Sequence, residues 1–181
     1  MRIIAGKYKG HKLKMPSSKF TRPTTDRVKE SIFNILMNFV DFNNIKVCDI
    51  YAGSGSLGLE VLSRGAAEVH FVEKSFSVYN ILSQNISAVD NENRCRIFKM
   101  DAVKFTQIVE HDKYDLILID PPFFKNDVYK VIENLMTQEY LSKNGNIVLE
   151  RSVQTENEDK EALEVEPYKK IGDSLIYLFS S

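Results

Sequence analysis

The fold of this chain is decided by the stretch Asp49-Ile50-Tyr51-Ala52-Gly53-Ser54-Gly55-Ser56-Leu57-Gly58. It follows a short apolar run, residues 45–50, and precedes a helix-like segment, residues 57–64. A buried strand, a tight glycine turn and a helix N-terminus create a place where backbone can approach a small ligand closely. The stretch contains the dinucleotide pattern G-x-G-x-x-G, which taken alone also describes an ordinary structural turn. The remainder of the chain must therefore decide whether a ligand binds here, and which one.

Strand-like and helix-like segments alternate from residue 45 onward. The strand-like runs cover residues 45–51, 67–73, 94–99, 114–119 and 145–150, and the helix-like runs cover 57–64, 75–88, 102–110 and 127–138. Apolar residues fill runs such as 46–50 and 114–119 almost without interruption, as in strands that are buried on both faces. This alternation predicts an α/β fold with a parallel, doubly wound sheet.

The C-terminal end departs from this alternation. Residues 161–170 and 174–180 have the pattern of two strands joined by a short turn with no helix between them. They predict an antiparallel hairpin at the edge of the sheet. The acidic stretch 156–161 is interpreted as a solvated connection without a function of its own.

The N-terminal end predicts a hairpin and a helix. Residues 2–5 and 11–14 are short extended runs around a Gly-containing turn, although a frayed, solvated terminus is the alternative. Apolar side chains in residues 28–40 recur at helical spacing, which predicts a helix ending near Val40. Thr24, Thr25 or Asp26 can cap its N-terminus; the capping residues follow a Pro-containing turn.

The charge of the chain is unevenly distributed. Its formal net charge is −1, yet residues 1–30 contain nine Lys or Arg and two acids, a net charge of +7. The remaining residues contain 15 basic and 23 acidic side chains, a net charge of −8. A basic N-terminal arm on an acidic body is typical of a protein that contacts a polyanion at one end.

Two acids follow predicted strands at the edge where ligands bind in open α/β sheets. Glu73 follows the second strand, where a carboxylate can accept both hydroxyl protons of a ribose, or can cap the helix that begins near Ser75. Asp101 follows the third strand and can accept from an adenine amino group or serve as a helix N-cap. For Glu73 we favour the ribose, and for Asp101 both interpretations stay open.

The stretch Asp120-Pro121-Pro122-Phe123 directly follows the fourth strand-like run and carries the most specific chemistry. Two prolines cannot donate hydrogen bonds and are stiff, so that they can present their carbonyls as fixed acceptors. The carboxylate of Asp120 is a further acceptor, and Phe123 offers a ring on which a base can stack. This combination suits a planar base with an exocyclic amine, whereas an ordinary Pro-Pro turn would not need the acid and the ring.

The composition excludes several other classes of protein. No apolar run approaches the roughly 20 residues that a bilayer-spanning helix requires. Cys48 and Cys95 lie in strand-like runs without metal-ligand spacing, which predicts no metal site and no disulfide, as in a reduced cytosolic compartment. The length suits one globular domain with a small appendage.

These motifs together resemble a class I S-adenosylmethionine (SAM)-dependent methyltransferase, and more closely the bacterial RsmD family of 16S ribosomal RNA guanine-N2 methyltransferases. The stretches that carry the resemblance are Met1 to Gly6, Thr21 to Glu30, Asp49 to Gly58, Leu62 to Ala66, Phe71 to Glu73 and Asp120 to Phe123. Asp120 to Phe123 is similar to the amino-methyltransferase motif [D/N/S]-P-P-[Y/F]. Tyr51 stands where phenylalanine is expected, and Ser75 where an acid is common.

The resemblance implies a Rossmann-like fold, a seven-stranded and mostly parallel sheet whose last strand is antiparallel, with helices on both faces. It implies a basic N-terminal hairpin and helix over residues 1–42 and a SAM-binding methyltransferase domain over residues 43–181. It further implies a bacterial cytoplasmic enzyme, and we expect a monomer without metal. Its cofactor would be SAM and its partner 16S rRNA, in the small ribosomal subunit or an assembly intermediate.

Roles for individual residues follow from the motifs and the resemblance. The expected catalytic residues are Asp120, Pro121, Pro122 and Phe123. The expected cofactor-binding residues are Asp49, Tyr51, Ala52, Gly53, Ser54, Gly55, Glu73, Lys74, Asp101, Ala102 and Asp120. The expected RNA-binding residues are Arg2, Lys7, Tyr8, Lys9, Arg22, Thr24 and Arg27.

Three alternatives remain at this stage. An adenine-N6 methyltransferase acting on DNA or RNA would use the same Pro-Pro-aromatic motif, and only the resemblance names guanine. A nicotinamide-dependent dehydrogenase would use the glycine pattern but leaves Asp120 to Phe123 unexplained. A non-catalytic RNA-binding module would account for the basic arm alone.

Overall fold

The computed structural model describes residues 1–16, 26–122 and 126–181. Within these residues the centre of the fold is a seven-stranded sheet with the order β3-β2-β1-β4-β5-β7-β6. The strands are β1 (Lys46–Ile50), β2 (Glu68–Val72), β3 (Cys95–Phe98), β4 (Tyr114–Ile119), β5 (Leu141–Ser152), β6 (Lys169–Ile171) and β7 (Ser174–Ser180). The helices are α1 (Asp26–Leu36), α2 (Ser56–Arg64), α3 (Phe76–Val89), α4 (Ala102–Phe105), α5 (Asp127–Thr137) and α6 (Glu156–Leu163).

The predicted sheet is confirmed, including the direction of its last strand. β1 pairs in parallel with β2 on one side and with β4 on the other. Because the strand order reverses at β1, a crevice opens there beyond the carboxyl ends of the strands. β7 lies between β5 and β6 and is antiparallel to both, so the terminal hairpin joins the sheet through its second strand. The fold is therefore the Rossmann-like arrangement of class I methyltransferases.

The prediction for the acidic stretch near the C-terminus was wrong. Residues 156–161 begin α6, which ends at Leu163, and β6 contains only residues 169–171 instead of 161–170. The helix carries few apolar residues, so its sequence shows little helical periodicity. It is attached to the sheet by Asp159, which is fully buried and lies 2.9 Å from the Nε of Arg151 on β5.

Two other helices are shorter than predicted. α1 ends at Leu36, and Phe39, which was assigned to its apolar face, is 42% exposed. Its predicted caps Thr24 and Thr25 lie outside the described residues. α4 makes a single turn over residues 102–105, where a helix to residue 110 was predicted.

The core consists of two clusters, one on each face of the sheet. The cluster over one face includes Ile3 and Leu13 of the N-terminal arm together with Phe33 of α1. The arm is a hairpin, as predicted: the N–H of Ile3 donates to His11 at 2.9 Å, and that of Leu13 to Met1 at 3.1 Å. The arm thus packs on the sheet, and the division of the chain at residue 42 stays a prediction. Within the described ranges, no helix is long and apolar enough to cross a bilayer.

A buried ion pair joins the arm, α1 and α2. Lys29 and Glu60 have no exposed surface, and their charged groups lie 3.3 Å apart. Glu60 also accepts the backbone N–H groups of Ile4 at 2.7 Å and Ala5 at 3.0 Å, and the Nε of Arg64 at 3.0 Å. Burial lowers the pKa of Lys29, and the neighbouring carboxylate of Glu60 opposes this effect. This latch holds the start of the arm against the sheet domain.

Candidate active site

A cleft of about 800 Å³ opens at the carboxyl ends of the strands. The glycine turn and the second strand form one wall, β4 ends in its floor, and β5 and the β6–β7 turn form the far end. Met1, Met15, Pro16, Arg27 and Val28 close one side, so that both the arm and α1 contribute to the wall. The cleft is therefore shared between the sheet and the N-terminal extension.

The glycine turn has the strained backbone that its sequence predicts. Tyr51, Gly53 and Gly55 adopt positive φ angles of 63°, 56° and 80°. The N–H of Ala52 donates to the carbonyl of Val72 at 3.0 Å, which fixes the start of the turn to β2. The turn leads directly into α2, with Gly55 as its N-cap residue. Backbone N–H groups at such a helix N-terminus favour a polar or anionic part of a ligand.

The three glycines of the pattern do not share one purpose. A Cβ at Gly53 would have Tyr51 O as its nearest neighbour, at 3.9 Å, so this position is open toward the cleft. A Cβ at Gly55 would lie 2.5 Å from Leu82, and one at Gly58 would lie 2.4 Å from Phe71. Gly55 and Gly58 therefore allow α2 to pack on neighbouring side chains, whereas the predicted contact of Gly55 with a cofactor stays a prediction.

Asp49, near the end of β1, contacts the start of the helix that follows the glycine turn. Its carboxylate is 2% exposed and accepts the N–H of Gly58 at 2.8 Å. Burial raises the pKa of the Asp49 carboxyl well above its ordinary value, the hydrogen bond from Gly58 opposes this, and the negative charges of Asp120 and Glu73 add to it. Asp49 of β1, Glu73 after β2 and Asp120 after β4 thus lie near one another and line the cleft. The charges of Glu73 and Asp120 favour a cationic ligand.

Glu73 makes the capping contact that was considered for it and a second contact besides. Its Oε1 accepts the N–H of Ser75, the N-cap residue of α3, at 2.7 Å. Its Oε2 accepts the N–H of Gly53 at 3.1 Å, so the carboxylate braces the glycine turn. Glu73 also lines the cleft. The predicted contact with a ribose stays a prediction.

The acid after β3 is a helix cap. Asp101 accepts the N–H of Val103 at 3.0 Å at the start of α4 and lies 3.5 Å from the ammonium of Lys74. Of these three predicted cofactor-binding residues, Lys74 and Ala102 line the cleft, and Asp101 does not. The capping interpretation of Asp101 is confirmed, and its predicted contact with the cofactor stays a prediction.

The Asp-Pro-Pro motif lies where the sequence predicts it. Asp120 follows the last residue of β4, and Asp120, Pro121 and Pro122 all line the cleft. Pro121 is buried and Pro122 is exposed, so the motif runs from the floor of the cleft to its rim. Phe123 lies outside the described residues.

Tyr51 contributes its ring to the cleft and its hydroxyl to α5. The hydroxyl donates to the carboxylate of Asp127 at 2.9 Å. Burial raises the pKa of the Tyr51 phenol, and the neighbouring charge of Asp127 raises it further. The ring is therefore held in one position next to Ala52, which also lines the cleft.

The predicted RNA-binding residues divide into two groups. Arg27 lines the cleft, whereas the described arm residues lie on the hairpin outside it. On the hairpin, Arg2 lies 3.4 Å from Asp26, and Lys7 lies 2.9 Å from Glu92. Tyr8 accepts a hydrogen bond from Arg94 at 2.9 Å. Lys9 is exposed. Arg22 and Thr24 lie outside the described residues.

Sequence reasoning missed the residue that connects the arm to the glycine turn. Asn85 on α3 is 3% exposed, and its side-chain amide forms hydrogen bonds with two backbone segments. Its Oδ1 accepts the N–H of Lys14 at 2.8 Å, and its Nδ2 donates to the carbonyls of Lys14 at 2.9 Å and Ser54 at 2.8 Å. An Asn within a helix gives no signal of such a role, because polar residues are common on helix surfaces.

The far end of the cleft was also missed. Glu150, Arg151 and Ser152 of β5 line it together with Asp173 and Ser174 of the β6–β7 hairpin. The only signal in the sequence was two charged residues at the end of an apolar strand-like run, at the ligand edge of the sheet. Among the described residues, no three His, Cys, Asp or Glu side chains are grouped so that they could hold a metal ion.

Comparisons with known proteins agree with this geometry. The family model described as Conserved hypothetical protein 95 matches residues 1–180. The Ribosomal RNA small subunit methyltransferase D of Haemophilus influenzae is 36% identical over 152 residues, which cover 83% of this chain and 78% of that protein. The protein of the same name from Escherichia coli is 34% identical over 154 residues, covering 85% of this chain and 76% of that protein.

A solved structure extends the likeness to the whole fold. The Escherichia coli protein yhhF superposes with a TM-score of 0.82 at 29% identity, covering 99% of this chain and 97% of that chain. The agreement includes the N-terminal extension, because nearly the full length of both chains is aligned. With its residues 1–180 matched by the family model, the chain belongs to the Conserved hypothetical protein 95 family, which is the RsmD family that its motifs resemble.

Proposed function

We propose that this chain transfers a methyl group from SAM to the exocyclic N2 amine of a specific guanine in the 16S rRNA of the small ribosomal subunit. The observation that carries the proposal is the position of Asp120-Pro121-Pro122, which lines the same cleft as the glycine turn and Glu73. The names of the two relatives, both small-subunit rRNA methyltransferases, support the class of substrate. We further expect a cytoplasmic monomer.

The residues of the cleft fit SAM. Glu73 and Asp120 would supply negative charge for a cationic sulfonium ligand, the buried Asp49 holds the start of α2 beside the glycine turn, and Gly53 leaves its Cβ position open. The volume of about 800 Å³ is within the range of cofactor pockets. Glu73 would hold the ribose, and the backbone of the glycine turn would hold the methionine end.

The motif after β4 would hold the reacting amine. When bound, SAM supplies a strongly electrophilic methyl group. Guanine N2 is a poor nucleophile because its lone pair is delocalised into the ring. The carboxylate of Asp120 and the carbonyl of Pro121 would accept the two N–H groups of this amine and favour a more tetrahedral nitrogen. Asp120 would then stabilise the positive charge that develops on N2 and, second, accept its proton.

The N-terminal extension would deliver the base. A guanine inside a helix must leave its stack to reach the floor of the cleft. Arg27 lines the cleft, and Arg2, Lys7 and Lys9 lie on the adjoining arm, so that phosphates on either side of the extruded base would find cations. Arg22 and Thr24, which lie outside the described residues, are proposed as further RNA contacts.

The test is methyl transfer from labelled SAM to naked 16S rRNA and to assembled small subunits, followed by identification of the modified nucleoside. N2-methylguanosine is the expected product, and N6-methyladenosine would overturn the proposal in favour of the adenine enzyme. Asp120→Ala is expected to reduce the rate by at least about 10²-fold, with cofactor affinity within a few-fold of the wild type.

Asp120→Asn is the matched variant that separates the two parts of the Asp120 role. Asparagine retains one acceptor oxygen but removes the negative charge, and we expect it to lose most of the rate as well. Full activity of both variants would remove Asp120 from the mechanism. Absence of cofactor binding in the wild-type protein would instead favour a non-catalytic RNA-binding module.

A further inference from the structure

Glu150 is the neighbour of Asp120 at the floor of the cleft. β4 and β5 are parallel, and the last pair in their register is Ile119 with Leu149. The residues that follow these two are Asp120, just beyond β4, and Glu150, which is still within β5. Neighbouring strands lie about 4.8 Å apart, and side chains at paired positions of a sheet point to the same face. The register therefore brings Asp120 and Glu150 to neighbouring positions on the same face of the sheet, and both line the cleft.

The structure holds the Glu150 carboxylate in place. Its side chain lines the cleft although the residue is only 9% exposed. Its Oε1 accepts the hydroxyl of Ser174, the first residue of β7, at 2.7 Å. A carboxylate anchored on one oxygen and nearly buried has a defined orientation, which is what a group that reads a base requires.

The next residue fixes the end of the strand. The guanidinium of Arg151 is 1% exposed and lies 2.9 Å from the carboxylate of Asp159 on α6. The hydroxyl of Tyr129 donates to the same carboxylate at 2.9 Å, and that of Thr155 donates to its other oxygen at 2.8 Å. Because this network ties α5, α6 and β5 together, the backbone that carries Glu150 is rigid.

The two candidate bases differ at the atom next to the reactive amine. Guanine presents N1–H beside its N2 amine, so that its Watson–Crick edge offers adjacent donors. Adenine presents a bare N1 acceptor beside its N6 amine. An ionised carboxylate can only accept hydrogen bonds, so it pairs with the guanine edge and repels the adenine edge. A site built to hydrogen-bond a substrate N–H can reject an analogue that lacks it by about 10⁴-fold.

We infer that Glu150 accepts the N1–H of the target guanine while Asp120 holds its N2 amine, and that Glu150 thereby selects guanine over adenine. This inference rests on the proposed function, because it assigns a further residue to the same site. Glu150 is a specificity determinant that touches the base, and Ser174 is a positioning residue that acts through it.

The test changes each side of this contact in turn. The substrate is an rRNA fragment in which the methylated guanine, once located, is replaced by 2-aminopurine, which keeps the 2-amine, lacks O6 and has an acceptor at N1. Because O6 is lost for every enzyme variant alike, the change in substrate ratio between variants reports on the contact at N1. For the wild type, kcat/KM on the 2-aminopurine RNA is expected to be at least about 10²-fold below that on the guanine RNA. In Glu150→Gln the amide can donate to the bare N1. This variant is expected to lose about 10–100-fold on guanine and to raise the 2-aminopurine to guanine ratio at least tenfold.

Two further variants make the result unambiguous. Glu161→Gln is the matched control, since it makes the same chemical change at an exposed position of α6 and should leave the ratio unchanged. Ser174→Ala removes only the hydroxyl that holds Glu150, and it should shift the ratio in the same direction by a smaller factor, even if Glu150→Gln folds poorly. Cofactor affinity should stay within about two-fold in every variant, as a readout independent of the base.

The outcomes separate this inference from the proposed function. If the wild type methylates no guanine, the proposed function fails. If the wild type methylates guanine but the substrate ratio is the same in wild type, Glu150→Gln and Ser174→Ala, then Glu150 does not read N1 and this inference is overturned.

Discussion

Removal of Glu60 from the buried ion pair with Lys29 should lower the free energy of unfolding more than removal of Lys29. In Glu60→Ala, the ammonium of Lys29 would remain in a site with no exposure and lose its counter-charge. The N–H groups of Ile4 and Ala5 would lose their acceptor at the same time. Removing one partner of a buried pair typically costs 3–5 kcal/mol, and we expect a loss of about 4 kcal/mol in the free energy of unfolding.

Replacing Lys29 instead leaves the carboxylate of Glu60 with several of its partners. In Lys29→Met, Glu60 keeps the Nε of Arg64 at 3.0 Å and both backbone donors of the arm. The methionine replaces the aliphatic stem of the lysine, and the main loss is the hydrogen bond from Nζ to the carbonyl of Arg2 at 2.6 Å. An acceptor left without its donor costs about 1–3 kcal/mol, so that we expect about 2 kcal/mol.

Urea denaturation followed by circular dichroism measures both changes, and thermal unfolding should show a lower Tm by about 6–20 °C for Glu60→Ala. Lys160→Met, which removes an exposed ion pair with Glu166, is the control and should change stability by no more than about 1 kcal/mol. A larger loss for Lys29→Met than for Glu60→Ala would refute the reasoning. It would mean that Arg64 and the two backbone donors of the arm do not compensate the charge of Glu60 once Lys29 is removed.

The remaining predictions concern binding and pH. Burial raises the pKa of the Asp49 carboxyl in the folded protein. The folded protein is therefore more stable when Asp49 is protonated, and this stability is lost as pH rises through the folded-state pKa. Asp49→Asn should therefore be more stable than the wild type at pH 7, and this difference should shrink toward about pH 4 in urea titrations. The same variant should bind the cofactor more weakly. A difference in stability that does not change with pH would contradict the prediction. Glu73→Ala should weaken cofactor binding by about 10–100-fold in calorimetry, and an unchanged affinity would leave Glu73 only its bracing role. Charge reversal of Lys7 and Lys9 should lower RNA affinity and reduce the slope of its salt dependence by about 0.7 per lost phosphate contact. Glu92→Gln, which releases Lys7 from its ion pair, should have the opposite effect on affinity, and RNA binding insensitive to all three changes would make the arm structural.

The parts of the fold that the sequence predicts are those with a strong hydrophobic pattern. β1 and β4 are apolar runs buried on both faces, and their existence follows from the pattern of apolar residues alone. The antiparallel β7 was recognisable because two strand-like runs follow one another without a helix. The position of Asp120 followed in turn, since a motif that directly follows a parallel strand must lie at the ligand edge.

The parts that escaped prediction depend on contacts between distant residues. α6 has an acidic sequence with little apolar periodicity, and it is held by the buried pair of Asp159 with Arg151. Glu60 lies within an apolar helix, where a buried acid is a signal of a partner but does not say that the partner is Lys29. The purpose of Gly58 likewise depends on the ring of Phe71, which belongs to another element of the chain.

The contacts of Asn85 have a consequence for how this family can vary. All three of its hydrogen bonds end on main-chain atoms, two at Lys14 and one at Ser54. A side-chain replacement at either position, other than proline at 14, leaves these bonds available, because every such residue has the same backbone N–H and carbonyl. The arm can thus exchange its side chains without losing its attachment beside the glycine turn. Under the proposed function, the residues that contact RNA can therefore change while the geometry of the loop that would hold SAM is kept, although one amide group joins the two segments.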